Sequence, residues 1–318
     1  MKVVLGTMTF GESIFEEGSK DILDAFLEQG HNRIDTAYVY NNGKSEELIG
    51  EYLKNVSRDR LVIDTKANPR ITGRLDSYAI KYQIDGSLQR LGTDYVDCFY
   101  LHFPDKNVPL EEALETVDEL HKQGKIKTFG LSNYPKDLVE KAFSICNEKG
   151  WICPSIYEGL YNPLSRRIEA LDELFNKFSL SLYCYNPLAG GLMTDKYTKY
   201  SQAPGKGRFT NRPNYQNRYW KESYFKALDM LKAACGNYEI GITEATFRWL
   251  SYSSMLSDDR NDAVIIGVSK AEHLQSNLRF MANGPLPDEL VDAFERAWII
   301  CREDAPEYYR FYGDDKNI

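Results

Sequence analysis

Asp35, Tyr40, Lys66 and His102 each stand where an apolar, strand-like run gives out. The runs are Arg33-Ile34-Asp35-Thr36-Ala37-Tyr38, Leu61-Val62-Ile63-Asp64-Thr65-Lys66 and Val96-Asp97-Cys98-Phe99-Tyr100-Leu101-His102. Successive strands of this kind aim a carboxylate, an ammonium and an imidazole at one end of a sheet, with a phenol five residues after the carboxylate. A phenol that titrates near pH ~10 is a weak proton donor or acceptor at neutral pH unless a nearby cation stabilises its ionised form. Lys66 can supply that cation, Asp35 can keep the lysine charged and fixed, and His102 can hydrogen-bond both the phenol and a substrate oxygen. Together they describe general acid catalysis on a carbonyl, with Tyr40 protonating the oxygen while hydride reaches the carbon. No side chain donates hydride, so this chemistry requires a nicotinamide cofactor. Taken singly, each residue has a plainer reading: Asp35 as a turn cap, Tyr40 as one of 22 tyrosines, Lys66 as a solvated strand end, His102 as a satisfied core histidine. Their convergence on adjacent strand ends favours the chemical reading.

The elements that must position these residues alternate along the chain. Strand-like runs recur at 3–7, 32–37, 61–67, 96–102, 127–131, 155–161, 181–186 and 263–268. Helical periodicity fills the intervals at 19–29, 45–55, 77–91, 110–123, 136–149, 168–178, 220–234 with 243–256, and 271–281. Gly30, Gly92, Gly124 and Gly150 each follow a periodic stretch, as a helix C-terminus prefers. Leu114, Val117, Leu120 and His121 recur at three- and four-residue steps and predict one inward stripe. Alternating βα units in this number suit an α/β fold, a closed (β/α)8 TIM barrel with its active site at the C-terminal ends of the strands. A doubly wound open sheet would usually carry G-x-G-x-x-G after its first strand, and Gly6-Thr7-Met8-Thr9-Phe10-Gly11 lacks it. The expected organisation is a single barrel domain over 1–318, with a long loop at 196–219 after the seventh strand and a C-terminal helix (290–300) and tail within 287–318. That loop, rich in Gly, Pro, Asn and Arg, reads as a lid at the barrel mouth.

Composition narrows the partners. The 318 residues are 42% hydrophobic and 27% charged, ordinary for a globular protein with a full core, and no apolar run reaches the ~18 residues that would span a bilayer. The N-terminal Met1-Lys2-Val3-Val4-Leu5-Gly6 enters a strand-like run without the pattern of a secretory signal, so a cytoplasmic location is expected. Cys98, Cys146, Cys153, Cys184, Cys235 and Cys301 form no C-x-x-C pair and are expected as free thiols. His31, His102, His121 and His273 are spaced too widely for a local ligand pair, so no metal is expected. A net charge of −8 disfavours nucleic acid as a partner while leaving room for a basic pocket around a small phosphate.

Asp35-Thr36-Ala37-Tyr38-Val39-Tyr40, Thr65-Lys66, Leu101-His102, Gly130-Leu131-Ser132-Asn133-Tyr134 and Tyr185-Asn186-Pro187-Leu188-Ala189-Gly190-Gly191-Leu192 resemble the signatures of aldo-keto reductases. The resemblance is nearer to the aflatoxin-aldehyde and succinic-semialdehyde reductase branch through Leu5-Gly6-Thr7-Met8, Gly207-Arg208-Phe209, Asn217-Arg218-Tyr219-Trp220-Lys221-Glu222 and Asp262-Ala263-Val264-Ile265-Ile266-Gly267. It implies that Asp35, Tyr40, Lys66 and His102 form a catalytic tetrad with Tyr40 as proton donor. Ser132 and Asn133 would hold the nicotinamide carboxamide, Tyr185 would stack on the ring, and 186–196, including Asn186, Leu188, Gly190 and Lys196, would follow the pyrophosphate. Ser269, Gln275 and Asn277 would take the adenosine end, where helix N-terminal amides suit a 2′-phosphate, so NADPH is expected over NADH. Arg208 is a further phosphate partner. The sequence departs from the family where glutamine is common, at Glu158, and where glycine is usual, at Asp195. A carboxylate cannot donate the hydrogen bond an amide can.

Met8, Tyr38, Arg218, Trp220, Arg310 and Phe311 are the candidate substrate-pocket residues. Arg310, a base among aromatics, suits a substrate carboxylate. The expected activity is NADPH-dependent reduction of aldehydes or ketones, carboxylate-bearing aldehydes among them, with a small-molecule substrate and a homodimer implied by the resemblance. Two alternatives use the same residues: a cofactor-binding regulatory subunit with little turnover, and a lyase with Lys66 as Schiff base.

Overall fold

β-Branched and aromatic runs bounded by polar turns give the strands, and these close on themselves. In the computed structural model, which describes residues 1–201, 205 and 207–313, eight parallel strands among the described residues pair in chain order and the last returns to the first. They are β1 (Lys2–Gly6), β2 (Arg33–Asp35), β3 (Val62–Ala67), β4 (Val96–Leu101), β5 (Ile126–Ser132), β6 (Ile156–Leu160), β7 (Ser181–Tyr185) and β8 (Ala263–Gly267). The expected (β/α)8 barrel is what forms, each strand ending within two residues of its expected end.

The helices are α1 (Glu16–Glu28), α2 (Lys44–Leu53), α3 (Pro69–Thr72), α4 (Ser77–Leu91), α5 (Leu110–Lys122), α6 (Lys136–Lys149), α7 (Asp172–Phe178), α8 (Arg208–Asn211), α9 (Pro213–Tyr219), α10 (Glu222–Gly236), α11 (Ile242–Tyr252), α12 (Ala271–Ala282) and α13 (Asp288–Cys301). Gly92 and Gly150 are the left-handed caps of α4 and α6. In α5, Leu114, Val117 and Leu120 are buried as expected, whereas His121 is exposed, its Nδ1 3.2 Å from the Ile126 carbonyl. The helix expected at 168–178 begins as a 3-10 turn, Arg167–Leu171, before α7. The segment 196–219, expected as one irregular loop, holds α8 and α9 among its described residues; 202–204 and 206, like 314–318 of the tail, lie outside them.

Alternation along each strand divides the core in two. Most buried apolar side chains fill the layer between barrel and helices. A smaller set, Val4, Cys98, Tyr100, Ile156, Tyr183, Ala263 and Ile265, packs together, apart from that layer, from five strands. Gly130 of β5 makes room for one of these rings, since a Cβ there would lie 2.5 Å from Tyr100. Arg33 and Asp64, on neighbouring β2 and β3, form an ion pair of 2.7 Å. The tail after α13 returns to the barrel mouth: the Arg310 amide donates to the Asn133 carbonyl at 3.2 Å and the Tyr312 amide to that of Pro104 at 3.3 Å. All six cysteines are free, and no helix among the described residues is long and apolar enough to cross a membrane.

Candidate active site

β2, β3 and β4 bring Asp35, Lys66 and His102 together at the C-terminal rim. Residues two apart on a strand share a face, so Lys66 extends inward like Asp64 two positions earlier. Its ammonium is fully buried, donates to the Asp35 carboxylate and to the Thr36 carbonyl at 3.0 Å, and lies 5.3 Å from the centroids of both the Tyr40 and Tyr100 rings. Burial works to lower the lysine's pKa, but Asp35 and Glu158 outweigh it and hold the ammonium well above its ordinary range. Tyr40 stands on a 3-10 turn pinned from the next residue: Asn41, itself left-handed, donates from Nδ2 to the carbonyls of Met8 at 2.9 Å and Phe10 at 2.7 Å. Burial pushes the Tyr40 phenol well up; Lys66 pulls it down, less strongly, while Asp35 and Glu158 push it up further. The expected help from Lys66 is therefore present but outweighed, and Tyr40 is a neutral phenol at physiological pH.

Sequence reasoning missed Asn68, which fixes the histidine. Its Oδ1 accepts from the Arg70 amide at 2.9 Å as it caps α3, so its Nδ2 is the group that faces His102 Nδ1 at 3.0 Å. An amide N–H there needs a bare Nδ1, which leaves the proton of the neutral ring on Nε2. Burial, and then Lys66, Arg310 and Arg70, hold His102 well below its usual range, consistent with that neutral tautomer. The His102 and Tyr40 rings meet nearly edge to face with centroids 6.1 Å apart. Asn68 lies two residues beyond Lys66 and on the same strand parity, the signal that would have found it.

Glu158, on β6 between Ser132 and Tyr183 in register, reaches the same centre. Its Oε2 is 3.2 Å from Lys66 Nζ yet outside hydrogen-bond geometry and without another partner. Burial, then Asp35, push its pKa well above the usual carboxylate range, against the pull of Lys66.

A cavity of about 1030 Å³ runs from Asp35, Tyr40, His102 and Glu158 past Tyr185, Asn186, Leu188, Gly190, Gly191, Lys196 and Arg208 to Ser269, Ser276 and Asn277. Its volume and the lysine and arginine side chains that line it suit a phosphate-bearing dinucleotide. At Gly190, left-handed at φ 71°, a Cβ would strike Tyr215 at 2.6 Å, so the backbone itself forms that part of the wall. Asp195 also lines this stretch with its carboxylate largely in solvent. Asn133 lines the cavity with its amide already engaged: Nδ2 donates to the His102 carbonyl at 3.0 Å and Oδ1 accepts from Tyr185 at 2.7 Å. Two expected cofactor residues do not reach the cavity. Ser132 is fully buried, and its Oγ accepts from Asn133 Nδ2 at 2.9 Å. Gln275 is exposed on the outer face of α12, and Ser276 turns inward in its place. Ser269 precedes the Lys270 cap, and its Oγ pairs with His273 Nδ1 at 3.1 Å.

Of the substrate candidates, Met8, Arg218 and Arg310 line the cavity. Tyr38, Trp220 and Phe311 do not, each being claimed by another partner. Arg90 stacks 3.6 Å from the Tyr38 ring centroid, Trp220 packs among Tyr197, Phe209 and Phe225, and Lys106 sits 4.2 Å from the Phe311 centroid. Phe103, Arg70 and Tyr215 line the mouth instead.

Known proteins carry the same outline. A sequence model of the Aldo/keto reductase family matches residues 2–299. The chain is similar to human aldo-keto reductase family 7 member A3, 42% identical with 96% of each chain covered. It is similar also to human aflatoxin B1 aldehyde reductase member 2, 41% identical over 96% of this chain and 89% of the relative. Aldo-keto reductase pigE of Monascus ruber is more distant, at 30% identity with 96% of each covered. With the barrel closed strand by strand and relatives matched along nearly its whole length, this chain belongs to the aldo/keto reductase family and is an oxidoreductase acting on aldehydes or ketones.

Proposed function

We propose that the enzyme reduces aldehydes and ketones with NADPH, Tyr40 giving the proton. The observation that carries this reading is the convergence of a neutral phenol and a neutral Nε2–H imidazole beside a buried, ion-paired lysine at one end of a dinucleotide-sized cavity. When bound, the cofactor supplies hydride to the carbonyl carbon. His102 Nε2 donates to the carbonyl oxygen and orients it; Tyr40 transfers its proton to that oxygen as negative charge develops. Lys66 stabilises the phenolate left behind, and Asp35 keeps the ammonium in place. Lys196 and Arg208 answer the phosphates, and Ser269 with Asn277 faces the adenosine end, which supports NADPH over NADH. Arg310, 4.8 Å above the Phe103 ring and close enough to depress His102, is the group for a substrate carboxylate, with Arg218 on the cavity wall as a second cation. A cytoplasmic homodimer belongs to the same reading.

A Lys66 Schiff base is disfavoured, because a lysine with no exposed surface, tied to Asp35 and held charged, is a poor nucleophile. The test is oxidation of NADPH with succinic semialdehyde, 2-carboxybenzaldehyde and 4-nitrobenzaldehyde, beside NADH and beside Tyr40→Phe. Expected are turnover with NADPH, preference for the acid-bearing aldehydes, and loss of about 10²- to 10⁴-fold in kcat for Tyr40→Phe with cofactor affinity retained. Wild-type turnover in that variant would remove Tyr40 from its role.

A further inference from the structure

The roles proposed for Asp35, Tyr40, Lys66 and His102 leave Glu158 without a task, although it is only 2% exposed and lines the same cavity. Two carboxylates share one ammonium here. Asp35 accepts a hydrogen bond from Lys66, whereas Glu158 Oε2 stands 3.2 Å from Nζ outside hydrogen-bond geometry and has no other donor. The titratable groups facing Glu158 are Asp35 from β2, Tyr40 from the turn after it, Lys66 from β3, Tyr100 from β4 and Tyr185 from β7. All three phenols are raised and neutral, so Lys66 is the single cation among these groups, with Arg33 behind Tyr100 and Arg218 and Arg310 beside Tyr185 further out. With both carboxylates ionised the buried centre carries a net negative charge; with Glu158 protonated it is neutral, and low dielectric favours the neutral form.

Resting on the nicotinamide reading of this cavity, we propose that Glu158 exchanges a proton with solvent according to the redox state of the cofactor. It is a carboxylic acid beside the reduced ring and a carboxylate beside the oxidised one. The charge argument is short. Hydride and the Tyr40 proton must converge on one carbonyl, so a bound nicotinamide would have to sit near Tyr40, in the part of the cavity that Glu158 also lines. The oxidised ring is a pyridinium with one positive charge that the dihydropyridine lacks. Ionised Glu158 balances that charge, and protonated Glu158 leaves the centre neutral beside the uncharged ring. Binding of oxidised cofactor therefore releases a proton that binding of reduced cofactor does not. Rising pH favours the oxidised form.

Isothermal titration of NADP⁺ and NADPH, each in two buffers of different ionisation enthalpy, counts the protons. Protonation of the 2′-phosphate is common to both nucleotides and cancels in the difference. The expected result is a release of up to about one proton more for NADP⁺ than for NADPH near neutral pH. The ratio of their dissociation constants then shifts by up to about tenfold per pH unit. In Glu158→Gln, of the same shape, the difference vanishes and the ratio is flat with pH. Should that variant not fold, the infrared carboxylic-acid band of the wild type decides, present with NADPH and lost with NADP⁺. Equal proton counts in the wild type, a difference that persists in Glu158→Gln, or an unchanged band overturns the proposal. Failure to bind either nucleotide overturns the cofactor reading and takes this proposal with it.

Discussion

At the scale of single residues, the tautomer of His102 is the most consequential detail, because in the proposed mechanism it decides which nitrogen would meet a substrate. Asn68 sets it by donating to Nδ1 at 3.0 Å while its own carbonyl oxygen is taken by the Arg70 amide. Replacing that amide with a carboxylate reverses the requirement: in Asn68→Asp an acceptor faces Nδ1, the proton moves there, and Nε2 loses its hydrogen. The new negative charge also favours the imidazolium and raises the histidine's pKa from its depressed position. In the wild type, His102 stays neutral and contributes no break in kcat/KM between pH 6 and 7. In Asn68→Asp an additional ionisation is expected in the profile, with a loss of about 10- to 100-fold on the plateau, the value of one misplaced hydrogen bond at a buried site. A profile superimposable on wild type would mean that Asn68 does not orient the ring. Asp35, Lys66 and His102 were legible in the sequence as neighbours because strand ends fix where their side chains emerge, whereas Tyr40 joins them from a turn pinned by Asn41. Tyr38 and Trp220 pack away from the cavity because a loop side chain goes where its tertiary partner is, Arg90 in one case and the Phe209–Phe225 aromatic cluster in the other.

Between elements, the same contrast holds. Strand and helix positions followed from period-2 and period-3.6 patterning, and β4 and α4 lie within a residue of where those patterns place them. The segment 196–219 was opaque, since α8 and α9 are too short to show a period and are held by packing of Phe209, Tyr215 and Tyr219. Gln275 and Ser276 differ by one step of helical phase, a distinction composition does not carry. Inside the barrel, shape constrains β5 against β4. A Cβ at Gly130 would sit 2.5 Å from the Tyr100 ring and 2.9 Å from the Ile156 carbonyl, and backbone leaves it nowhere to go. Gly130→Ala should therefore destabilise the fold by about 1–3 kcal/mol, the usual cost of overpacking, seen as a lower urea midpoint. Because the Tyr100 ring centroid is 5.3 Å from Lys66 Nζ, the displacement should also reduce kcat. Wild-type stability and turnover in that variant would show that the interior yields more easily than its contacts imply.

Across the whole molecule, residues 200 positions apart close the cavity rim. Glu12, in the connection after β1, accepts from Arg212 Nε at 3.2 Å and from Nη2 at 2.9 Å, and both residues line the cavity. In a barrel ordered β7-β8-β1, this pair spans the end of β8, where Ser269 and α12 form the adenosine end of the proposed site. The two side chains are only 27% and 32% exposed, and their paired geometry is better than that of a typical surface contact, yet solvent reaches them. Such a pair is worth about 0.2–1 kcal/mol, so it can slow departure of a bound dinucleotide only modestly. Arg212→Ala should raise the NADPH dissociation rate about 1.5- to 5-fold in stopped-flow fluorescence, and moderate salt should move the wild type in the same direction. Where cofactor release limits turnover, kcat rises with it; where the chemical step limits, kcat stays constant while the off-rate still increases. An off-rate insensitive to both the substitution and salt would mean that the rim is held by aromatic packing around Tyr215 and Trp220, and that the Glu12–Arg212 pair only decorates it.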